Sequence, residues 1–305
     1  MTYSQDEDRK PPTISRREFI QAGVAFIGVA AVGASGCSKP LMDKENKITI
    51  GMFTDAHYAD RAMRINRYYR ESAAKVEQAI AEFNSTKPDF IIQLGDFVDK
   101  GESVETELSY LERIEREYAK FAGERHYVLG NHDVAMFSKE QFISNCGARE
   151  NHYSFDKGNF HNIVLDACYN KDKSDYKAGN FDWTQSYIPA WEQEWLKADL
   201  QMTEKRVIVF LHQRLDDEDD PHGVKKAPEV REILEESGKV LAVFQGHDHS
   251  GAYNSINNIH YYTLPALVAG SGPENNAYAV AQIRIDGSIN INGFGKLKGP
   301  ELPQL

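Results

Sequence analysis

The stretch Val128-Leu129-Gly130-Asn131-His132-Asp133 places a short apolar run, a glycine and three polar side chains in succession. An amide oxygen, an imidazole and a carboxylate at the end of a strand suit metal and proton chemistry better than packing. The pattern is weak by itself, because Gly-Asn is also a common turn signal. Similar polar clusters recur along the chain, and their order makes this one informative.

The segments before this stretch repeat one rhythm of strand, acidic turn and helix. Residues 47–54 predict a strand that ends at Asp55-Ala56-His57, and residues 89–94 predict a buried strand that ends at Gly95-Asp96. Apolar residues at helical spacing follow each of them. This rhythm is typical of an α/β fold, in which ligands bind at the carboxyl ends of the strands.

The rest of the chain continues this alternation less regularly. A hairpin is predicted around the Lys157-Gly158 turn, and a helix over residues 191–200. Buried strands are predicted at 207–211, which ends at His212, and at 240–244, which ends at Gly246-His247-Asp248-His249. Closing β-strands are predicted at residues 259–264, 277–285 and 288–291.

Three features in this half leave alternatives open. Residues 169–190 are polar and aromatic, and are either an insertion that walls a pocket or a disordered surface loop. The acidic stretch 216–220 is most simply a solvated loop and not a cation site. Cys146 and Cys168 are expected to be buried thiols, with a structural disulfide as the alternative.

Length and charge set outer limits on function. The chain has 305 residues and a net charge of -11, enough length for one large domain or two small ones. An acidic surface argues against nucleic acid or anionic lipid as the main partner. It does not exclude a small phosphorylated substrate, because bound cations can dominate the field of a pocket.

The N-terminus resembles an export signal and is excluded from fold reasoning. Ser15-Arg16-Arg17-Glu18-Phe19-Ile20 resembles a twin-arginine motif, and Ala34-Ser35-Gly36-Cys37 resembles a lipoprotein cleavage box with Cys37 as the lipid-bearing residue. The resemblance implies a signal at 1–37, a linker at 38–46, a domain at 47–305 and a partner in the twin-arginine export machinery. It implies an exported protein, anchored to a membrane through Cys37. The alternative is an uncleaved anchor or an ordinary buried helix.

The polar residues at the predicted strand ends form one candidate site. They are Asp55, His57, Asp96, Asn131, His132, His212, His247 and His249. Carboxylates, imidazoles and an amide oxygen suit divalent ions such as Mn, Fe, Zn or Co, and the ligands are about enough for two. The other histidines are interpreted as structural or exposed; they are His126, His152, His161, His222 and His260.

Two such ions, about 3.5–4 Å apart, would supply the chemistry of phosphate ester hydrolysis. Hydroxide bridging them would attack phosphorus in line, because coordination lowers the pKa of water far below its bulk value. No protein nucleophile is then needed. The sequence has no Gly-x-Ser-x-Gly elbow, which agrees with this interpretation.

The ordered motifs Asp-x-His, Gly-Asp, Gly-Asn-His-Asp, His and Gly-His-x-His resemble those of the calcineurin-like metallophosphoesterases. The resemblance covers about residues 47 to 295 and implies two mixed β-sheets flanked by helices. It implies that Asp55, His57 and His249 bind one ion. Asn131, His212 and His247 would bind the other, and Asp96 would bridge. His132 would stabilise the transition state or protonate the leaving oxygen, with Asp133 orienting it.

Within that superfamily the chain is most similar to manganese-dependent ADP-ribose/CDP-alcohol diphosphatases. The similarity lies in Tyr58-Ala59-Asp60, in Arg67-Tyr68-Tyr69-Arg70 on the helix predicted next, in Leu165-Asp166-Ala167 and in Gly246–Gly251. It implies manganese and a nucleoside diphosphate derivative as substrate. Tyr58, Arg67, Tyr68, Tyr69 and Arg70 would contact rings and phosphates.

Two other functions remain open from the sequence alone. One is a phosphomonoesterase or phosphodiesterase of broad specificity. The other is a metal-bearing surface lipoprotein without turnover. The ligand set has no missing member, which speaks against the second alternative.

Overall fold

The computed structural model describes residues 46–297, and within that range the chain alternates strands with helices. The strands are β1 (Lys47–Phe53), β2 (Phe90–Gln93), β3 (Arg125–Tyr127), β4 (Tyr153–Lys157), β5 (Phe160–Val164), β6 (Arg206–Phe210), β7 (Val240–Gln245), β8 (Ala252–Ile256), β9 (Ile259–Thr263), β10 (Ala277–Arg284) and β11 (Ile289–Gly295). The α-helices are α1 (Ser72–Thr86), α2 (Val104–Tyr118), α3 (Lys139–Cys146), α4 (Ala190–Met202) and α5 (Ala227–Ser237).

The strands form two mixed sheets. One has the order β11-β10-β1-β2-β3, and the other has the order β4-β5-β6-β7-β9-β8. Strands β1, β2 and β3 run parallel, as do β5, β6, β7 and β9. The carboxyl ends of the parallel strands in each sheet therefore meet at one edge, where the site residues follow them.

Alternating side chains of the strands divide the core into layers. Ile50 of β1 and Ile208 of β6 point into a core shared by the two sheets. Ile91 of β2 packs with the side chains of α1 and α2, and Val209 of β6 packs with those of α4 and α5. Both faces of the central strands are thus buried, which is why their sequences are nearly continuous apolar runs. The predicted fold of two mixed sheets flanked by helices is confirmed.

Capping residues mark the ends of three helices. The Ser103 hydroxyl accepts a hydrogen bond from the Thr106 backbone N–H at the start of α2. Ser138 and Gln141 form a reciprocal capping box at the start of α3. Helix α1 ends at Thr86, and the left-handed backbone of Lys87 closes its last turn.

Some predictions for single elements are wrong. The Arg67-Tyr68-Tyr69-Arg70 run was expected on a helix, but it spans a loop and a short 3-10 turn at Tyr69–Glu71. The sequence did not predict α3 or the edge strand β8. Cys146 and Cys168 are buried thiols, as expected. The predicted signal and lipidation site at residues 1–37 lie outside the described residues, and so does the linker up to residue 45.

None of the helices between residues 46 and 297 is long and apolar enough to cross a bilayer.

Candidate metal centre

Loops that follow five parallel strands bring the predicted ligands together. The loop after β1 carries Asp55 and His57, and the loop after β2 carries Asp96. Asn131 and His132 follow β3, His212 follows β6, and His247 and His249 follow β7. The two sheets therefore contribute to one site at their shared edge.

A first cluster consists of Asp55, His57 and His249. His249 Nε2 lies 3.2 Å from Asp55 Oδ1 and 3.1 Å from His57 Nε2. His57 Nε2 lies 3.4 Å from Asp55 Oδ1. Three potential ligand atoms thus converge on one point, as a metal ion requires.

A second cluster consists of Asp96, His212 and His247. His212 Nε2 lies 3.2 Å from Asp96 Oδ2 and 3.1 Å from His247 Nδ1. Asp96 Oδ2 also lies 3.5 Å from His57 Nε2 in the first cluster. The same carboxylate oxygen therefore lies between the two clusters, which is where a bridging ligand belongs.

Each carboxylate uses one oxygen within the protein and keeps the other for the site. Asp55 Oδ2 accepts hydrogen bonds from Thr54 Oγ1 at 2.7 Å and the His247 backbone N–H at 3.0 Å. Asp96 Oδ1 accepts one from the His132 backbone N–H at 2.7 Å. These bonds fix Asp55 Oδ1 and Asp96 Oδ2 toward the centre before any ion arrives.

One imidazole is oriented in the same way by the backbone. His212 Nδ1 lies 2.7 Å from the Leu94 carbonyl oxygen. A carbonyl only accepts, so Nδ1 carries a proton and Nε2 faces Asp96 and His247. This is the usual support of a metal-binding histidine.

The buried polar atoms of the centre test whether it fits a pair of cations. Asp55 Oδ1 and Asn131 Oδ1 have no hydrogen-bond partner among the described residues, although both are buried. A buried acceptor without a partner is costly unless a ligand satisfies it. The donor set of carboxylate and amide oxygens and imidazole nitrogens suits divalent ions, so the residues fit two of them.

The electrostatics of the centre favour cations. Burial alone would lower the pKa of His57 and His212, but the charge of Asp96 and neighbouring carboxylates raises both to about 9. Burial alone would raise the pKa of Asp96, yet His212 and His132 hold it well below its usual value. The carboxylates therefore remain anionic, and their charge attracts a positive partner.

The backbone at the centre is strained. Asp55, His57, Asp96 and His247 all have positive φ, at 53°, 44°, 52° and 70°. Residues other than glycine rarely adopt this region, and such positions cluster at functional sites. Gly130 adds a close approach, because a Cβ there would lie 2.3 Å from Asp96 Oδ1. Only glycine lets the third strand end this near the shared carboxylate.

The partner of His132 differs from the prediction. Asp133 was expected to orient the ring, but its carboxylate accepts backbone N–H groups of Phe97, Val98 and Gly130 at 2.8 to 3.1 Å. Asp99 Oδ1 lies 3.2 Å from His132 Nδ1, and Asp99 Oδ2 lies 3.3 Å from His57 Nδ1. Asp99 therefore positions both rings, and Asp133 holds the turn that carries Asn131 and His132.

Comparison with known proteins decides the family. A family model described as calcineurin-like phosphoesterase matches residues 48–251, which is the greater part of the chain.

The chain belongs to the calcineurin-like phosphoesterase family.

It is therefore a hydrolase that acts on phosphoester bonds, as the sequence predicted. A manganese-dependent ADP-ribose/CDP-alcohol diphosphatase from Xenopus laevis is 26% identical, over 83% of this chain and 89% of the relative. A protein of the same name from Arabidopsis thaliana is 23% identical, over 72% of this chain and 86% of the relative.

A solved structure shows the same fold. It is a dimetal phosphatase from Danio rerio, which superimposes with a TM-score of 0.69 and 21% identity, covering 82% of this chain and 96% of that one.

A cavity of about 330 Å³ opens over the metal centre of this phosphoesterase. Asp96, Asn131, His132, His247 and His249 line it from the centre. Residues from elsewhere complete its wall: Arg67, Trp183, His222, Asp248 and Ser250. A substrate phosphoryl group at the metal centre would extend into this space.

The predicted substrate contacts are only partly brought together. Arg67 lines the cavity, and Tyr69 is buried beneath a neighbouring one. Tyr58 packs edge-on against Tyr110, with ring centroids 6.0 Å apart, and lines neither cavity. Arg70 is exposed and pairs with Asp60 at 2.6 Å, also outside both cavities. Tyr68 donates its backbone N–H to the Val268 carbonyl and lines neither.

Two wall residues were not expected from the sequence. The Trp183 ring lies 5.5 Å from the His247 ring and 5.3 Å from the His222 ring, and Trp183 is 42% exposed. His222 had been interpreted as structural or exposed, but it lines the cavity. Residues 169–190 are therefore a wall of the pocket through Trp183, and the alternative of a disordered loop is wrong. The tryptophan at position 183, in an otherwise polar segment, was the feature of the sequence that could have indicated this wall.

The acidic stretch is also more than a solvated loop. Asp216 is buried and pairs with Arg214 at 2.9 Å, and Arg214 also lies 3.3 Å from Asp248. Asp220, His222 and Asp248 form another group of potential ligands, apart from the metal centre. The Arg214 guanidinium already lies against Asp220 and Asp248, so this group is a charge network that forms part of the cavity wall.

Proposed function

We propose that this phosphoesterase hydrolyses the phosphoanhydride bond of nucleoside diphosphate derivatives, of the ADP-ribose or CDP-alcohol type, with manganese as its preferred ion. The observation that carries the proposal is the pair of ligand clusters that share Asp96, beside His132 in one cavity. The relatives that share most of the chain's length carry this activity in their names. Manganese enters from the same names and agrees with the mixed donor set.

The two ions would be held by Asp55, His57 and His249 and by Asn131, His212 and His247, with Asp96 shared. When bound, they supply positive charge for the phosphoryl oxygens and make water a nucleophile near neutral pH. The protein contributes the placement of these charges. Its ligand atoms are already fixed by Thr54, Leu94 and the His132 backbone N–H, so little reorganisation is needed during the reaction.

His132 is the proton donor to the leaving group in this proposal. Its Nδ1 lies against Asp99, which leaves Nε2 for the substrate, and the side chain is 27% exposed to the cavity. Water forms a new P–O bond at one phosphorus, and the bond from that phosphorus to the bridging oxygen breaks. The bridging oxygen takes the proton from His132, and the proton of the attacking water is released to solvent, from which His132 is protonated again, so two monophosphates result.

The test uses residues 38–305 purified and loaded with Mn²⁺. We would compare kcat/KM for ADP-ribose, a CDP-alcohol and p-nitrophenyl phosphate. The proposal expects the first two to be preferred by at least about tenfold. A preference for the aryl ester would replace it with a phosphoesterase of broad specificity. No turnover with both ions bound would support a binding protein instead.

We also propose that the protein is exported and anchored through Cys37. Support comes only from the twin-arginine and cleavage-box motifs of the N-terminal sequence. Membrane fractionation of cells that express the full chain tests this. Cys37→Ser should release the protein from the membrane fraction, and replacement of Arg16 and Arg17 by lysine should keep it in the cytoplasm.

A further inference from the structure

A second cavity of about 370 Å³ adjoins the catalytic one. Arg67 and His132 line both cavities, so they form the wall between them. The remaining lining comes from Arg61, Arg64, Ile65, Tyr69, Asp99 and Lys100. The proposed proton donor therefore faces a space other than the metal centre.

The charge of this second cavity is opposite to that of the chain. Four cationic side chains line it, from three arginines and one lysine, against the single carboxylate of Asp99. That carboxylate is already engaged, because it pairs with Arg61 at 2.6 Å and lies against His57 and His132. The chain as a whole has a net charge of -11. A positive surplus next to the reacting group suits an anionic ligand.

The backbone holds two of these arginines side by side. Arg64 and Arg67 pair as opposite residues across a two-residue turn, with Ile65 and Asn66 at its tip. Both tip residues are left-handed, with φ of 46° and 61°. Ile65 is β-branched and 83% exposed, so this conformation is unfavourable and no burial offsets it. Like charges directly opposite each other are also unfavourable.

The turn is nevertheless fixed to the body of the protein. Arg67 pairs with Ala269, and the Gly270 backbone N–H donates to the Asn66 carbonyl. Arg61 lies over the Tyr69 ring at 4.1 Å, and Arg67 lies 3.4 Å from Asp99. Arg64 is the exception among the three arginines, because no ion pair of its exposed side chain is found among the described residues. A strained, anchored turn thus presents a guanidinium that has no carboxylate partner in the described part of the chain.

We propose that the second cavity binds the phosphate of the leaving group, with Arg64 as its principal contact. One phosphorus lies at the metal centre, the bridging oxygen lies at His132, and the second phosphate lies among Arg61, Arg64, Arg67 and Lys100. The guanidinium forks match phosphate oxygens in pairs. The inference rests on the proposed function and extends it, because it assigns preference for a phosphoanhydride over a simple ester to this chain's own turn.

Arg64→Gln removes the charge without disturbing Asp99 or His132. Arg70→Gln is the matched control, because it removes the same charge from the same stretch of sequence. The Arg70 side chain pairs with Asp60 and lies outside both cavities. We would measure kcat/KM for ADP-ribose and for p-nitrophenyl phosphate, whose leaving group has no phosphate. Arg64→Gln should lower the ratio of the two values by about tenfold or more, through KM. Arg70→Gln should leave the ratio unchanged.

An equal fall on both substrates, or a fall with Arg70→Gln as large as with Arg64→Gln, would overturn the proposal. A binding measurement separates this result from failure of the proposed function. Calorimetry with the Mn²⁺-loaded protein compares α,β-methylene-ADP, which has two phosphorus groups, with AMP, which has one. The two-phosphorus compound should bind at least about tenfold more tightly, and Arg64→Gln should abolish that advantage. The same advantage in both proteins would refute the subsite even if neither nucleotide is a substrate.

Discussion

Asp99 is the residue on which the geometry of the centre depends most without being one of its ligands. Its two oxygens lie 3.2 Å from His132 Nδ1 and 3.3 Å from His57 Nδ1, and it pairs with Arg61 as well. The Asp99 side chain is almost fully buried, so water has little access to its carboxylate. One carboxylate therefore sets the orientation of a ligand, of the proposed proton donor and of an arginine of the second cavity.

Asp99→Asn should lower kcat by about 10- to 100-fold, because an amide cannot hold both rings and the guanidinium in place. Metal content and circular dichroism, measured with kcat, check that the protein still folds and binds its ions. Asp60→Asn is the control, since Asp60 is exposed and pairs only at the surface with Arg70. Unchanged turnover in Asp99→Asn would show that His132 needs no partner.

The sequence predicted which candidate ligands lie together at this site but not the residue that orients the two rings. Each ligand follows a buried apolar run, and that signal is local. Asp133 follows His132 directly and was the natural choice, yet the 3-10 turn at His132–Val134 directs its carboxylate to backbone N–H groups. Asp99 comes from the loop after β2, thirty-three positions earlier. No local pattern encodes a contact between two loops of different strands.

The segment from 169 to 190 acts as one element although it contains no helix or long strand. Tyr169 pairs with both Asp175 and Tyr187, and Tyr176 is fully buried and stacks on Phe181 at 4.2 Å. These contacts fold the segment back on itself and hold Trp183 at the cavity. An exposed tryptophan in a fixed position offers a flat surface to a base or sugar ring.

Trp183→Ala should raise KM for the proposed nucleotide substrate by about tenfold and change kcat little, because a ring in the cavity wall would contact the substrate away from the reacting bond. Trp191→Ala is the matched control, since Trp191 is also about half exposed but lies outside the catalytic cavity. Steady-state kinetics with ADP-ribose and both variants check this. Equal effects of the two substitutions would exclude a direct contact.

Helix α2 carries a carboxyl group that couples stability to pH. Burial raises the pKa of Glu115 to about 7. The Tyr127 hydroxyl donates a hydrogen bond to the Glu115 carboxylate at 2.8 Å and lowers this pKa, but by less than burial raises it. The folded protein therefore keeps a proton that the unfolded chain releases near pH 4.5. The stability that this group contributes is full below pH 4.5 and is lost as the pH rises through about 7.

Glu115→Gln should consequently be more stable than the parent protein at pH 8, by about 1–2 kcal/mol, with the gain disappearing below pH 4.5. Urea unfolding at the two pH values measures the difference. Glu112→Gln, an exposed change on the same helix, controls for the loss of a negative charge. A gain that is equal at both pH values would contradict the assigned cause.

Elements with strong periodicity were predictable and marginal ones were not. Strand β7 ends within one residue of its predicted end, because β7 is apolar on both faces. Strand β8 lies at a sheet edge with exposed Asn254 and Ser255, so its sequence has no apolar run to detect. Apolar residues around the Arg67–Arg70 run, such as Ile65 and Tyr69, stand at helical spacing. The turn before the run is nevertheless held in place by Ala269 and Gly270 from a distant loop. Tertiary contacts override local propensity there.

At the scale of the whole molecule, the metal centre joins the two sheets. The first sheet supplies Asp55, His57, Asp96 and Asn131, and the second supplies His212, His247 and His249. The apolar core holds the two sheets together along their faces. At the edge where the candidate ligands lie, the ions would link one sheet directly to the other. Binding to the folded state alone then adds to stability by mass action.

Removal of both ions should lower Tm by roughly 10–20 °C. Each ion at a hundred times its Kd contributes about 2.7 kcal/mol, and 1 kcal/mol shifts Tm by about 2–4 °C for a large domain. Calorimetric scans before and after treatment with a chelator, and after Mn²⁺ is restored, measure this. An unchanged Tm in protein shown by elemental analysis to lack metal would mean that the sheets hold together without the centre.

Cys146 and Cys168 are separate buried thiols, so the domain requires no oxidant to complete its fold. Folding can therefore finish in a reducing compartment, where the buried ligands, among them Asp96 and His212, close around whichever ions that compartment provides. Under the proposed export, ions enclosed in this way would travel with the folded chain. The metal bound by the mature protein would then reflect the ions available in the compartment where the chain folds and not those in the compartment where it acts.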